Sequence, residues 1–384
     1  MAGGDRAVIF SPEKLHTSVS KLSWGPSDPT LPGIFRIDME AEGDLVRRAR
    51  FETGYLHKGL EKSAEKRNWF TSIVPVDRVD SESSLAAELA FAMAVEEICN
   101  IQVPRRAQTI RLILAELDRI GSHLGFLARL AIVTGFETVS HYILRERELV
   151  LDLLELMTGR RFNLGFFRLG GVAADITEGF IERIHETTRL IEIRLREYHA
   201  LMIENRAFVD RLAWQGVISP ELIQIKAITG PSARASGNRF DVRKVEPYSA
   251  YEQFDFRVPI GTGLRGTIGD GFDRVMVRLE EIRESLLLLS HAVDAVPPGD
   301  FLAFRMMPDF TVPAGEAYAR VESPRGLLAC HVVSDGGFHP TRVQWRTPSQ
   351  SNIEAAPDLL AGVTLQDVPV ILASLDLSLS EVDR

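Results

Sequence analysis

One long segment with apolar residues at helical spacing constrains this chain more than any other feature. Between residues 110 and 130 the apolar residues recur every three or four positions, which places them on one face of an α-helix. Arg119 and His123 interrupt this face. A helix with so broad an apolar face has to bury it against other helices, so the sequence predicts a helical bundle. The face consists of Ile110, Ile113, Leu114, Leu117, Ile120, Leu124, Leu127 and Leu130.

Other segments also have helical spacing, and residues that break helices mark their limits. One begins near Ser83, and Pro104 separates it from the long helix because proline removes a helix hydrogen bond. Another ends at Gly159, and glycine commonly follows the last turn of a helix. Beyond the segment near Ser83, the predicted helices are residues 138–157, 177–205 and 271–292.

The sequence on either side of the helical region has the periodicity of β-strands. Apolar and polar residues alternate from Gly33 to Met39 and again from Tyr318 to Val343, where turn sequences interrupt them. We therefore predict an α+β fold, with a central bundle of long helices and small N-terminal and C-terminal β-sheets. The predicted segments are a flexible N-terminus (1–22), a β-rich segment (23–82), the helical bundle core (83–300) and a C-terminal α+β segment packed on the core (301–384).

The composition excludes several classes of protein and of site. The net charge of −9 argues against nucleic-acid binding. Cys99 and Cys330 are too few and too far apart for a disulfide framework or a cysteine-built metal site. The most apolar stretch, residues 124–136, is interrupted by Arg129, and the first residues lack a signal-peptide core. We therefore expect a protein that meets a membrane only from outside it.

Several polar, glycine-containing clusters are candidates for a functional site, although each has an ordinary interpretation. His123 is typical of a satisfied core histidine. Arg145 and the charged residues after it are typical of a solvated helix face with charge pairs, and the glycines of the other clusters fit plain turns. No cluster matches a phosphate-binding loop, a dinucleotide-binding fingerprint or a zinc-ligand spacing.

Taken together and in this order, the clusters resemble the pattern of one family. From about Gly25 to Arg384 the chain is similar to the D subunit of complex I (NADH:quinone oxidoreductase), called the 49-kilodalton subunit in mitochondria, a family related to nickel-iron hydrogenase large subunits. The motifs that carry the resemblance are GYLHKGLEK, RIGSHL, LRERE, RLGGV, TGPSARASG, EPYSAYEQFDF, VSDG and the final SLDLSLSEVDR.

This resemblance implies a fold like that of nickel-iron hydrogenase large subunits and a role within an oxidoreductase that is also a translocase. Family members are peripheral, lie on the cytoplasmic side of the bacterial inner membrane and bind no cofactor alone. Together with a small subunit that holds the terminal iron–sulfur cluster, they enclose the cavity in which quinone is reduced. The implied partners are that cluster-bearing subunit, a C-like subunit and a membrane-arm H-like subunit.

The resemblance also implies which positions held metal in the ancestral hydrogenase. Its two cysteine pairs align with Asp80 and Ser83 and with Ser378 and Glu381. Nickel needs soft thiolate ligands, and none of these four side chains provides one. We therefore expect no hydrogenase activity and no metal bound by this chain.

Three positions that serve the quinone headgroup in the family are substituted here, so the catalytic residues stay unassigned. A histidine that hydrogen-bonds one carbonyl aligns with Pro32, a tyrosine on the other side with Ser81, and the aspartate that pairs with the histidine with Val133. Histidine and tyrosine are suited to supply the protons that quinone reduction takes up. Proline and valine offer no side-chain donor, and a serine hydroxyl is a poor proton source. The sequence thus indicates a relaxed or repurposed pocket.

Other positions of the family pattern complete the candidate site. Arg78 aligns with an arginine beside the terminal cluster, where a cation raises the reduction potential, and a histidine linked to cluster protonation aligns with Asn163. Six charged or polar residues lie in retained motifs, and we expect most of them to be buried ion-pair partners because such groups are seldom buried unpaired. They are Asp80, His123, Arg145, Arg168, Asp270 and Asp273.

Two interpretations of the function remain open at this point. In the first, the chain is a working D subunit of a divergent complex I in which other residues supply the protons. In the second, it is a D-like scaffold subunit of a related membrane-bound redox complex with a lost or altered quinone site. A soluble enzyme that acts alone is poorly supported, because the sequence has no self-contained catalytic set of residues.

Overall fold

The computed structural model describes residues 19–28 and 31–384. The chain begins with an antiparallel sheet in the order β1-β2-β3. Its first strand starts at Val19, so the last residues of the segment expected to be flexible (1–22) belong to the sheet, and residues 1–18 lie outside the described part. Most side chains of this edge strand are exposed and give no apolar alternation, which is why sequence analysis missed it. The strands are β1 (Val19–Trp24), β2 (Arg36–Glu42) and β3 (Leu45–Glu52).

Long helices follow and form the middle of the described chain. Short 3₁₀ turns lie at Val76–Arg78, Tyr251–Gln253 and Leu365–Asp367. The α-helices are α1 (Leu60–Glu65), α2 (Trp69–Ser72), α3 (Ser84–Cys99), α4 (Arg105–Val133), α5 (Glu137–Thr158), α6 (Phe180–Tyr198), α7 (Arg206–Leu212), α8 (Pro220–Lys226), α9 (Gly230–Ala235), α10 (Val242–Val245), α11 (Gly271–Asp294), α12 (Pro348–Leu360), α13 (Val368–Ser374) and α14 (Leu379–Val382).

Helix α4 lies at the centre of the bundle, where it packs against α3, α5 and α11. The apolar face that the sequence predicts is buried, and each fully buried leucine or isoleucine contributes about 1.5–3 kcal/mol of transfer free energy. Burial extends around the helix to charged residues, among them Glu116, Asp118 and Arg119. Because buried charges need partners, the polar side of α4 has to find them inside the protein.

The helix predicted for residues 177–205 is shorter than expected. Helix α6 ends at Tyr198, and the chain continues in a π-helical turn, His199–Ile203. The Asn205 side chain then accepts a hydrogen bond from the Ala207 backbone N–H and caps α7. Apolar spacing does not reveal this break, because Met202 and Ile203 in the wider turn stay buried.

The remaining strands include a hairpin whose tip enters the bundle. Only Pro324 and Arg325 separate β6 from β7, and the turn buries the Arg325 side chain completely. Gly326 has a φ of +137°, and a Cβ there would lie 2.7 Å from the Thr229 hydroxyl oxygen, so this turn requires glycine. The strands are β4 (Phe167–Arg168), β5 (Gly171–Val172), β6 (Gly315–Ser323), β7 (Gly326–Ser334) and β8 (Arg342–Arg346).

The two ends of the described chain share a second apolar core. Strands β2 and β3 pack with α12 and α13 around buried side chains of both segments. Gly33 lies against Leu379, and the Asp383 carboxylate accepts hydrogen bonds from the backbone N–H groups of Gly54 and Leu56. The C-terminal residues are thereby fixed beside the N-terminal loops. Among the described helices, none combines the length and the apolar character needed to span a bilayer.

Candidate functional site

Two pairs of positions align with hydrogenase cysteines. The turn between Arg78 and helix α3 carries one pair, Asp80 and Ser83, and brings Asp80 into contact with Ser378 of the other pair. Ser378 Oγ donates a hydrogen bond of 3.0 Å to Asp80 Oδ1. Glu381 is buried nearby, and the negative charge of Asp80 acts on its carboxyl group. Carboxyl and hydroxyl oxygens thus stand where the alignment places thiolates.

Arg325, at the tip of the β6–β7 hairpin, supplies the central cation of this region. Its guanidinium contacts Asp80 Oδ2 at 2.5 Å and Glu82 Oε2 at 2.6 Å, and its Nε donates to the Asp376 backbone oxygen at 3.0 Å. Arg129 from α4 bridges Glu82 Oε1 at 2.7 Å and Asp376 Oδ1 at 2.9 Å. We call Asp80, Glu82, Asp376 and Glu381 the carboxylate cluster.

The carboxylate cluster contains more acids than cations. Its four carboxyl groups face Arg129, Arg325 and Arg278, whose Nε lies 3.8 Å from Asp376 Oδ2. Burial raises the pKa of Glu381 to about 7, and the charge of Asp80 adds to this effect. Burial also acts to raise the pKa of Asp376, but Arg325 and Arg278 outweigh it and bring that pKa to about 2. Burial also raises the pKa of Asp80, so Asp80 and Glu381 compete for the proton that the excess acid of the cluster takes up.

The three substituted headgroup positions lie close in sequence to residues in or beside the carboxylate cluster. Pro32 precedes Gly33, which packs on Leu379. Ser81 precedes Glu82, and Val133 lies one turn after Arg129, the partner of Glu82, on the same side of α4. No side-chain hydrogen bond joins Pro32, Ser81 and Val133 to one another within residues 19–28 and 31–384.

Ser81 and Asn163 line one small crevice between α4, α5 and the loop that follows α5. The crevice has a volume of about 10 Å³. Asp118 from α4 and Arg147 from α5 also border it. The structure thus brings together a predicted headgroup position and a predicted cluster-adjacent position that are far apart in sequence.

Asp118 is a residue of this crevice that sequence analysis did not single out. Ser83 Oγ donates to its Oδ2 at 2.8 Å, and the Leu85 backbone N–H donates to the same oxygen at 3.3 Å. Burial raises the pKa of Asp118 to about 7. A usable signal was present in the sequence, because an acidic residue within a buried apolar helix needs a partner or a proton.

A larger cavity of about 500 Å³ lies beside Arg78, just before the turn that carries Ser81. The Arg78 side chain is 55% exposed and its Nε lies 3.2 Å from the buried Asp77 carboxylate. Arg160, Arg168 and Arg305 also border the cavity, so cations outnumber acids on its wall. Its apolar lining consists of Phe70, Ile73, Val74, Phe167, Leu169, Ala173, Leu302, Phe304 and Met306.

Glu88 from α3 borders that cavity and was also missed by sequence analysis. Its carboxylate accepts hydrogen bonds from the backbone N–H groups of Gly165, Phe166 and Phe167 at 2.8–2.9 Å. Burial raises its pKa to about 7, against the opposing effect of these donors. The bonds fix the loop that carries Asn163 against α3, so Glu88 positions both the cavity and the crevice.

The residues expected to form buried ion pairs fall into different environments. Asp80 pairs with Arg325, and His123 Nε2 lies 2.9 Å from Glu281 Oε2 inside the bundle. Burial lowers the pKa of His123, which favours a neutral core histidine. Arg145 pairs with Glu146 at 2.7 Å, but the arginine side chain is half exposed.

Within the described residues, the other three charged side chains have no ion-pair partner within 4.0 Å. Arg168 donates to the backbone oxygens of Gly165 and Phe167. Asp270 accepts from the backbone N–H of Asp273 and so caps α11, while Asp273 accepts from Gly263 N–H at 2.9 Å. Backbone groups satisfy these charges, and a motif alone does not distinguish such a role from an ion pair.

A second network of buried ion pairs stabilises the bundle, and only some of its residues belong to the family motifs. Arg234 contacts Glu281 and Glu322, each at 2.7 Å, and Arg243 contacts Glu116 at 3.0 Å. Arg119 donates to the backbone oxygens of Glu322 and Ser323, the residues that lead into the Arg325 turn. The network thereby holds the hairpin tip that supplies Arg325 to the carboxylate cluster.

Comparisons with known proteins agree on one family. Residues 134–306 and 301–384 match the family model described as respiratory-chain NADH dehydrogenase, 49 Kd subunit. The chain is 40% identical to the D subunit of the NADH-quinone oxidoreductase of Carboxydothermus hydrogenoformans, with 96% of this chain and 100% of the relative covered. It is 38% identical to subunit 4 of the NADH-quinone oxidoreductase of Thermus thermophilus, with 97% and 96% covered.

A solved structure gives the same result for the fold. A chain in the membrane-bound sulfane sulfur reductase, an archaeal respiratory membrane complex, superposes with a TM-score of 0.91. The two chains are 33% identical, with 96% of this chain and 100% of the other covered. The mixed fold of long helices and small sheets is therefore similar along nearly the whole length of both chains.

Proposed function

Because the chain belongs to the family of the 49-kilodalton subunit of respiratory-chain NADH dehydrogenase, we propose that it is a peripheral-arm subunit of a complex I-type NADH:quinone oxidoreductase. In this role it helps to form the cavity in which quinone is reduced. The observation that carries the proposal is the position of the turn at residues 77–84. That single turn places Arg78 on the large cavity and Ser81 on the crevice with Asn163.

The charge pattern of this turn supports contact with an electron-transfer partner. Arg78 is more than half exposed although its neighbours Asp77 and Asp80 are buried, so its guanidinium is available to a neighbouring subunit. We propose that this neighbour is the small subunit that holds the terminal iron–sulfur cluster. A cation near such a cluster raises its reduction potential, which helps electrons to arrive beside the crevice.

The remaining features of the assembly follow from the same proposal. This chain binds no cofactor of its own, a C-like subunit and a membrane-arm H-like subunit are its other partners, and the complex lies on the cytoplasmic side of the inner membrane. The fold descends from that of nickel-iron hydrogenase large subunits. The oxygen-bearing side chains of Asp80, Ser83, Ser378 and Glu381 support the loss of the metal, because nickel needs soft ligands.

A second candidate function has specific support. Pro32, Ser81 and Val133 supply at most one weak donor at the headgroup positions, and a 33% identical chain occurs in a complex named for sulfane sulfur reduction. We therefore consider a D-like subunit of a related membrane-bound redox complex with a different terminal acceptor. The carboxylate cluster then serves as a scaffold beside the neighbouring subunit.

Acceptor specificity of the purified native complex distinguishes the two candidates. The complex is assayed with a short-chain ubiquinone, with and without a quinone-site inhibitor, and in parallel with polysulfide. Inhibitor-sensitive quinone reduction supports the first candidate. Polysulfide reduction without quinone reduction, in a complex whose clusters still become reduced, contradicts the first candidate and supports the second.

A further inference from the structure

Asp118 lines the crevice beside Ser81, and the two oxygens of its carboxyl group have different surroundings. The residue is 6% exposed. Oδ2 accepts hydrogen bonds from Ser83 Oγ and from the Leu85 backbone N–H. Within the described part of the chain, no hydrogen bond reaches Oδ1. One oxygen is therefore held by donors, and the other has no protein donor. Asp118 lines two spaces of about 10 Å³ each, the crevice beside Ser81 and a second one beside Tyr248 and Glu322.

These donors determine where a proton sits on the acid. Because Oδ2 already accepts two hydrogen bonds, a proton bound by Asp118 lies on Oδ1. The crevice of about 10 Å³ is about the space that one water molecule requires. We infer that a water in it accepts from Oδ1, and the polar side chains of Ser81 and Asn163 line the same crevice.

The charges around Asp118 keep that proton available near neutral pH. Burial is the largest influence on its pKa, and the charge of Asp80 raises the pKa further, whereas Ser83 and Arg119 lower it. An acid whose pKa is close to the working pH both donates and regains protons readily. The other charged groups that border the crevice are Glu82 from the turn before α3, Arg147 from α5 and Arg161 from the loop after it.

We propose that Asp118 holds a proton at this crevice and delivers it, through a bound water, to the acceptor that is reduced beside Ser81. The proposal rests on the function proposed above. Reduction of a quinone to a quinol takes two electrons, which come from the iron–sulfur cluster of the neighbouring subunit, and two protons. Asp118 gives one proton, becomes a carboxylate and regains a proton from solvent, and solvent supplies the second. Asp118 thereby supplies the proton source that neither Pro32 nor Ser81 provides.

The test is the substitution Asp118→Asn in the purified native complex. Asparagine has the same shape and keeps an oxygen for the Ser83 and Leu85 donors, but it releases no proton near neutral pH. We expect kcat for inhibitor-sensitive ubiquinone reduction to fall at least tenfold with little change in KM. The pH profile should lose its inflection near 7, and a carboxyl C=O infrared band that titrates there should disappear.

Two further variants make the result specific. Asp210→Asn removes an exposed carboxylate on α7 that contacts Arg206, and it should change neither kcat nor the infrared band. Ser83→Ala removes a donor that favours the carboxylate, so the band should titrate at a higher pH than in the wild type. This shift separates a proton-holding role of Asp118 from a merely structural one.

The outcomes that contradict the proposal are equally definite. If Asp118→Asn keeps the wild-type turnover and pH profile, Asp118 delivers no proton. If the infrared band is unchanged, it holds none. A wild-type complex that reduces no quinone overturns the proposed function and the delivery step with it, whereas the infrared titration then still decides, by itself, whether Asp118 carries the proton.

Discussion

Asp80 and Ser378, which are 298 residues apart in sequence, are joined by a hydrogen bond of 3.0 Å from Ser378 Oγ to Asp80 Oδ1. The contact closes the carboxylate cluster, in which Arg325 from the β6–β7 hairpin faces Asp80 and Glu82. Three distant parts of the sequence therefore depend on one another here. The stability of this corner should respond strongly to the loss of its central cation.

Removal of Arg325 should destabilise the subunit severely. Arg325→Met leaves Asp80, Glu82 and Asp376 without their shared partner, and breaking a buried ion pair from one side costs about 3–5 kcal/mol. The double variant Arg325→Met with Asp80→Asn removes an unpaired charge as well, so it should be less destabilised than Arg325→Met alone. Thermal unfolding of the purified complex, with limited proteolysis of this subunit, measures both. Equal destabilisation of the single and double variants would contradict the pairing.

The glycine that ends the Arg325 turn should be essential for a steric reason. At Gly326, alanine adds strain at a φ of +137° and a contact of 2.7 Å with the Thr229 hydroxyl, so we expect a loss of about 2–4 kcal/mol. Gly362 is the matched control, because its φ is +82° but no neighbouring atom lies within 4 Å of the place that a Cβ would take there. Gly362→Ala should cost only about 1 kcal/mol. Similar unfolding temperatures for the two variants would exclude a role of the close contact.

Stability should fall with rising pH because of Glu381. Its pKa is raised from 4.5 to about 7 in the folded chain, so the folded state binds this proton more tightly than the unfolded state. The contribution of this group to the free energy of unfolding is on the order of 3 kcal/mol. It is fully present below about pH 4.5 and is lost as the pH rises through about 7. Glu381→Gln should flatten this dependence in unfolding measurements between about pH 5 and pH 8.

Asp376 provides the control of opposite sign for that measurement. Its pKa is lowered from 3.8 to about 2, so its contribution is present above about pH 3.8 and is lost only as the pH falls towards 2. Asp376→Asn should therefore destabilise the chain uniformly between about pH 5 and pH 8. A pH slope that changes in Asp376→Asn and not in Glu381→Gln would contradict the assignment of the proton.

The hydroxyl of a tyrosine at position 81 should restore a headgroup donor. If quinone is reduced beside the Ser81 crevice, Ser81→Tyr should raise inhibitor-sensitive turnover, by about tenfold or more if proton donation limits the rate. Ser81→Phe has the same ring without the hydroxyl and is the matched control. An equal effect of the two substitutions on kcat would mean that ring size, and not proton donation, governs the reaction at this position.

The positive charge of Arg78 should tune the neighbouring cluster. Arg78→Met removes an exposed cation, so the reduction potential of the nearest iron–sulfur cluster should become more negative, while Arg78→Lys should retain most of the wild-type value. A redox titration of the purified complex followed by electron paramagnetic resonance measures the potential. An unchanged potential in Arg78→Met would place the cluster elsewhere.

The sequence predicts the bundle well because local signals determine it. Pro104 and Gly159 mark the limits of α4 and α5 as expected, and the apolar face of α4 is buried. The edge strand β1 gives no such signal, since its exposed side chains follow no apolar alternation.

The candidate site is predictable only in part, because its chemistry depends on contacts between distant residues. Motifs indicate Arg78, Ser81 and Asn163, and the structure places all three around one turn. They do not reveal that Asp118 meets Ser83, since that contact depends on how α4 packs beside the start of α3. For Asp270 the motif suggests an ion pair, but in the structure a backbone N–H group of its own helix donates to it instead.

Photoaffinity labelling of the purified native complex with an azidoquinone tests the central claim most directly, because it locates the bound quinone without relying on turnover. We expect the label to attach to the peptides carrying Ser81 or Asn163, or to the facing peptide of the cluster-bearing subunit, and a quinone-site inhibitor to prevent it. Labelling confined to subunits other than these two, or labelling here that the inhibitor does not prevent, would contradict a quinone site at this turn.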